Sequence, residues 1–194
     1  LVSILGIPLL GAAALLRLRN RSASIPFIAS SIVLVLGAWG LRGVLGSGDL
    51  TFKLSLSGPF TPSLRADALS MIFVLTAAFL WWVVSIYAPA YMKEEGRPSR
   101  FAVVSLLTLT AVKGVFLAGD FLTLLLFFEL MTVASYFWVV HRWDKEAVRA
   151  GYFYLFFSIL GGLFVALGLV LIGSAGGGVP VIGAGPLNLL EPRL

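Results

Sequence analysis

Six apolar runs, at 1–16, 25–45, 67–92, 101–119, 120–141 and 147–172, take up most of the 194 residues and leave no room for a second core. The hydrocarbon core of a bilayer is crossed by about 20 helical residues. Lipid offers no partners for backbone N–H and C=O groups, so runs of this length must close their hydrogen bonds internally as helices. The expected fold is therefore all-α: one polytopic membrane domain over 1–194, with about six transmembrane helices. A composition of 59% apolar and 12% charged residues lies outside the soluble globular range and agrees with it.

The charges between the runs set a topology. Arg17, Arg19, Arg21, Lys93, Arg97, Arg100, Arg142, Lys145 and Arg149 fall on one side, against Arg42, Lys53, Arg65 and Arg193 on the other. The positive-inside rule places the first group in the cytoplasm and the N-terminus outside. The net charge of +5 thus reads as a topology signal, not as a nucleic-acid surface. Three arginines follow the first apolar run instead of preceding it, the reverse of a signal peptide. Between runs two and three, alternation at 51–57 followed by Gly58, Pro59 and Pro62 predicts a short hairpin on the outer surface. The tail from residue 173 is Gly-rich and reads as a loop, since no G-K-[ST] follows to make a phosphate cradle. Trp81, Trp82, Tyr87, Tyr91, Tyr136, Trp138 and Trp143 lie toward run ends and read as interfacial anchors.

With no cysteine and one histidine, the chain carries no disulfide, no metal-ligand set and no cofactor motif. Its chemistry must come from a few ionisable groups in apolar surroundings. Glu129 is the only charge in 121–140. At about 1.5 Å per residue it lies some 13 Å below the start of its helix. An isolated carboxylate at that depth is costly, so it is protonated, paired or facing a hydrated path. Ala118, Gly119 and Asp120 leave almost no linker between runs four and five, which forces a tight antiparallel hairpin. Lys113 then sits roughly 10 Å below the same surface, at a depth similar to Glu129. Two readings of Lys113 stand: a coupled pair with Glu129 that tunes proton transfer, or a side chain that snorkels to the interface. Glu129 itself is either a proton carrier or a structural hydrogen-bonding group. Asp67 and Asp120 open helices and read as caps. His141, where run five meets the cytoplasmic loop, is either a proton entry point or a plain interfacial residue. Gly161, Gly162, Ala166 and Gly168 form a small-residue stripe suited to close helix packing.

The segment GVFLAGDFLTLLLFFELMTVASYFWVV at 114–140, with its Gly-Asp and Phe-Phe-Glu-Leu-Met core, resembles the antiporter-like membrane subunits of respiratory complex I, membrane-bound hydrogenases and Mrp-type sodium/proton antiporters. FKLSLSGPFTPSLRADALSMIF is similar to that family's outer hairpin and the start of its third helix, and the match runs from about 52 to 172. The resemblance implies that Glu129 belongs to a proton-conducting axis in mid-membrane, paired with a lysine from a later helix. The family has fourteen or so helices. The expectation is therefore a natural split subunit or a fragment holding the N-terminal part of an antiporter-like fold, with either Lys113 or a separate chain supplying the partner charge.

The leading expectation is a multi-pass cell-membrane subunit of an ion-translocating complex, contributing to proton or sodium/proton transfer through Glu129. Its implied partners are the lipid bilayer, protons and sodium, and other membrane subunits, including one that completes the antiporter fold. The family includes redox-driven oxidoreductases and secondary antiporters, and this chain holds no redox site of its own. Two rivals are a structural or assembly subunit without an ion path and a homodimeric small-solute transporter.

Overall fold

The computed structural model describes residues 1–17, 24–53 and 62–176. Arg19, Arg21, the tip of the predicted hairpin and the Gly-rich tail beyond 176 lie outside them. The described elements are α1 (Val2–Arg17), α2 (Ser24–Ser47), β1 (Leu50–Lys53), β2 (Ser63–Ala66), α3 (Ala68–Glu95), α4 (Pro98–Phe116), α5 (Phe121–Val139) and α6 (Lys145–Gly176). All the helices but α1 are long and apolar enough to cross a membrane; α1 has 16 residues. The expected six-helix, all-α architecture is what the chain adopts.

Helices α1 to α4 pack in a closed ring, each against the next and α4 back against α1, while α5 packs on α4 and α6 on α5. Burial follows this arrangement. The α4 span is 56% buried and the α6 span only 6%, so α4 is the hub and α6 the outermost helix. Two apolar clusters fill the ring: Ile4, Val33, Met71, Val74 and Leu117 toward one end, and Ala12, Leu15, Ala29, Ala102 and Leu106 toward the other.

The hairpin pairs β1 with β2 in antiparallel register, Leu50 opposite Ala66 and Lys53 opposite Ser63, and Arg65 reaches Asp49 at 2.6 Å. It is locked to the turn between α4 and α5. The Arg65 N–H donates to Leu117 O and the Gly119 N–H to Ser63 O, each at 2.8 Å. A Cβ on Gly119 would lie 2.8 Å from Ser63 Oγ and 3.2 Å from the Ser63 backbone, so only glycine allows this approach. Gly114 serves α4 and α5 likewise, because any side chain there would occupy the place of the Phe127 ring.

Asp120 joins these parts. As N-cap of α5 it accepts from the Thr123 N–H at 2.7 Å, and its other oxygen accepts from the Ser63 N–H at 2.9 Å, the Ser63 hydroxyl at 2.5 Å and the Thr123 hydroxyl at 2.7 Å. Asp67 caps α3 in a reciprocal box with Ser70, both bonds at 2.8 Å.

Burial raises the Asp120 carboxyl pKa, but the hydrogen bonds from Ser63 and Thr123 outweigh it and hold the group below its ordinary 3.8. A depressed carboxyl contributes stability that is fully present above the unfolded value and is lost as pH falls through the folded one. Asp120→Ala should destabilise the protein by at least the ~1–2 kcal/mol of a lost helix cap. In detergent melts the gap to wild type should hold from neutral pH to about 5 and narrow below about 4; a gap unchanged at the acid end would contradict this role.

Candidate functional site

Helix α5 carries the site because of what its two neighbours offer. On the α4 side it presents Phe127 to Gly114; on the α6 side it presents Glu129, Tyr136 and, at its C-cap, Val140. These three lie seven and four residues apart and so share one face of the helix. Opposite them on α6 are Gly162, beside Glu129, and Gly151, beside Tyr136 and Val140. The two glycines are eleven residues apart, about three turns, and match the α5 face in antiparallel register.

The Glu129 carboxylate lies against the Gly162 backbone so closely that a Cβ there would overlap Oε1, and would lie 2.9 Å from Cδ. Gly162 is buried and Glu129 half-buried. Among the described residues, no hydrogen bond or ion pair engages that carboxylate. The small-residue stripe read from the sequence therefore divides. Gly162 makes room for a carboxylate, whereas Gly161 and Gly168 have nothing near the position of a Cβ. Gly151 is the second contact glycine, and its three-turn spacing from Gly162 was the available signal.

Lys113 and Glu129 are not brought into an ion pair. Residue 114 already faces α5, and a step of one residue on α4 turns Lys113 about 100° away from it. Lys113 is fully buried, with no exposed surface, and its Nζ donates to the Ile4 carbonyl of α1. It does not snorkel: the amine is spent inside the ring.

His141 follows the end of α5, about 18 Å along the helix axis from Glu129. Its Nε2 lies 3.2 Å from Gly96 O, in the turn between α3 and α4, and its ring meets Phe101 edge-on at 6.0 Å. Phe101 stacks on Trp138 and Trp138 on Trp81, both at 5.9 Å, and the Trp81 Nε1 donates to Ser105 O at 2.9 Å. Trp81 and Trp138 are thus inter-helix packing groups, unlike Tyr87, Tyr91 and Trp143, which remain exposed. An open cleft of about 340 Å³ lies here, lined by Tyr91, Met92, Phe101, Trp138, His141 and Arg142. The buried Trp138 Nε1 has no partner among the described residues. No group of three or more His, Cys, Asp or Glu side chains among the described residues could hold a metal ion.

Known proteins are similar to this chain in sequence and in fold. The family model for the N-terminus of chain 5 of NADH-ubiquinone oxidoreductase (complex I) matches residues 53–102. A probable K(+)/H(+) antiporter component from Rhizobium meliloti is 30% identical over 174 residues, which is 89% of this chain and 32% of that one. A Na(+)/H(+) antiporter component of Bacillus subtilis is 31% identical over 144 residues, 73% of this chain and 29% of its own length. Hydrogenase-4 component B of Escherichia coli is 29% identical over 171 residues, covering 84% of this chain and 25% of that protein. The chain thus spans about a third or less of these relatives. A chain of the membrane-bound sulfane sulfur reductase, an archaeal respiratory membrane complex, superposes on 91% of this chain and 37% of its own, with a TM-score of 0.77 at 20% identity. The matched hairpin and third helix and these relatives make the chain similar to the N-terminal part of the antiporter-like membrane subunits shared by complex I, membrane-bound hydrogenases and Mrp-type antiporters.

Proposed function

We propose that the chain is a subunit of an ion-translocating complex of the cell membrane, and that Glu129 holds and releases a proton within its membrane segment. The observation that carries this reading is the Glu129 carboxylate itself: in mid-helix, half-buried, without a partner among the described residues, in a space that exists because residue 162 is glycine. A structural carboxylate at that depth would be tied down by donors, as Asp120 is. An untied one in apolar surroundings can bind a proton as a neutral acid and give it up when a cation or a hydrated path approaches. The longer relatives, named as antiporter subunits and a hydrogenase component, support the setting.

In this reading His141 and its cleft form the cytoplasmic approach, since they open at the end of α5 nearest the basic loops. Lys113 is not the partner charge. That charge comes from helices that pack against α6, whose span is bare over most of its surface. Those helices complete the antiporter fold, and sodium is the candidate counter-ion.

Three variants test this in the assembled complex, by following proton movement in sealed vesicles. Glu129→Gln should abolish coupled transport while leaving the chain in the complex; normal transport would rule the role out. Gly162→Leu keeps the carboxylate but takes its space, and should slow transport roughly 10- to 100-fold through misplacement; an unchanged rate would show that the Glu129 position is immaterial. His141→Phe should slow proton uptake from the cytoplasmic side without abolishing it, and an unaltered rate would remove His141 from the path.

A further inference from the structure

Helix α1 contains Pro8 inside its second turn, and Pro8 is buried. An α-helical carbonyl at position 4 receives its hydrogen bond from the N–H of residue 8, and proline has none. The Ile4 carbonyl is therefore left without its helical donor in a buried part of the ring, where an unpaired carbonyl is unfavourable. The group that reaches it is the Lys113 amine, from the adjoining helix α4.

The fit extends along both helices. Seven residues further on in α1, Gly11 lets Leu106 of α4 approach, with Leu106 Cδ1 3.1 Å from where a Cβ would stand. Leu106 is seven residues before Lys113, so the two contacts form one antiparallel seam. Among the described residues, no carboxylate lies within ion-pair distance of Lys113. Its amine has a backbone dipole for a partner, not a countercharge.

We infer that Lys113 is a positioning residue that replaces the N–H missing at Pro8, holding the broken turn of α1 against α4 independently of the Glu129 site. This accounts for a lysine so deep in the ring and separates it from proton transfer. The lysine and the proline are two halves of one device: either alone leaves a buried group unmatched, and removing both restores an ordinary helix.

A double-mutant cycle of Lys113→Met and Pro8→Ala, made in the full chain within its complex, tests this by thermal melting and vesicle transport. Lys113→Met alone strands the Ile4 carbonyl and should lower the melting temperature by roughly 5 °C. In the Pro8→Ala background residue 8 supplies its own N–H, and most of that loss should vanish. Equal losses in both backgrounds would overturn the inference. If Lys113→Met alone does not fold, the double variant should still fold and assemble; its failure to do so would overturn the inference as well. The folded double variant should transport protons near the wild-type rate. A stable double variant that does not transport would mean that the Lys113 charge itself is required, and would overturn the positioning role. Because Glu129 is intact throughout, none of these outcomes depends on its role.

Discussion

A polar group inside an apolar helix bundle must find its partner within the bundle, because lipid supplies none. Several buried polar groups among the described residues obey that constraint locally. Thr108 and Thr110 return their hydroxyls to carbonyls one turn earlier, at 2.9 Å each. Others obey it across the fold, and these contacts set the architecture: Asp120 binds the outer hairpin to the head of α5, and Lys113 binds α4 to the proline-broken turn of α1. Glu129 stands apart, with space made for it and no donor from the described residues in that space.

That contrast orders the molecule. The closed ring of α1 to α4, with α4 its most buried member, is pinned at its outer end by the hairpin and the Asp120 contacts. Helix α5 lies on the ring through Gly114 and Phe127, and carries its carboxylate on the opposite side, toward α6. Glu129, the proposed proton carrier, thereby lies at the boundary between the packed ring and the most exposed helix. This is where the charge can respond to whatever packs next. A carboxylate within the ring would have been fixed by neighbours, and one on the open face of α6 would have had no scaffold.

Much of this was legible in the residues. Run lengths gave the six helices, the turn residues gave the hairpin, and the short linker at Ala118 to Asp120 gave the tight pairing of α4 and α5. What could not be read was azimuth. Depth follows from counting residues, but which helix a side chain faces depends on packing around the ring. Lys113 and Glu129 share a depth and face different neighbours. The cue for Lys113 lay in α1, more than a hundred residues away, in a proline whose missing N–H becomes informative only once α4 is known to lie beside it. The pairing of Glu129 with Gly162 was hidden in the same way, since a small-residue stripe does not say which glycine meets a carboxylate.

The central claim is that Glu129 changes protonation state during ion movement. Difference infrared spectroscopy of the complex in lipid, recorded as a proton gradient is applied, reads that change directly through the C=O stretch of a protonated carboxyl group. A carboxylic-acid band that rises or falls with the gradient and is absent in Glu129→Gln is the predicted result. A spectrum with no such band, or one that the Gln substitution leaves unaltered, would contradict the account.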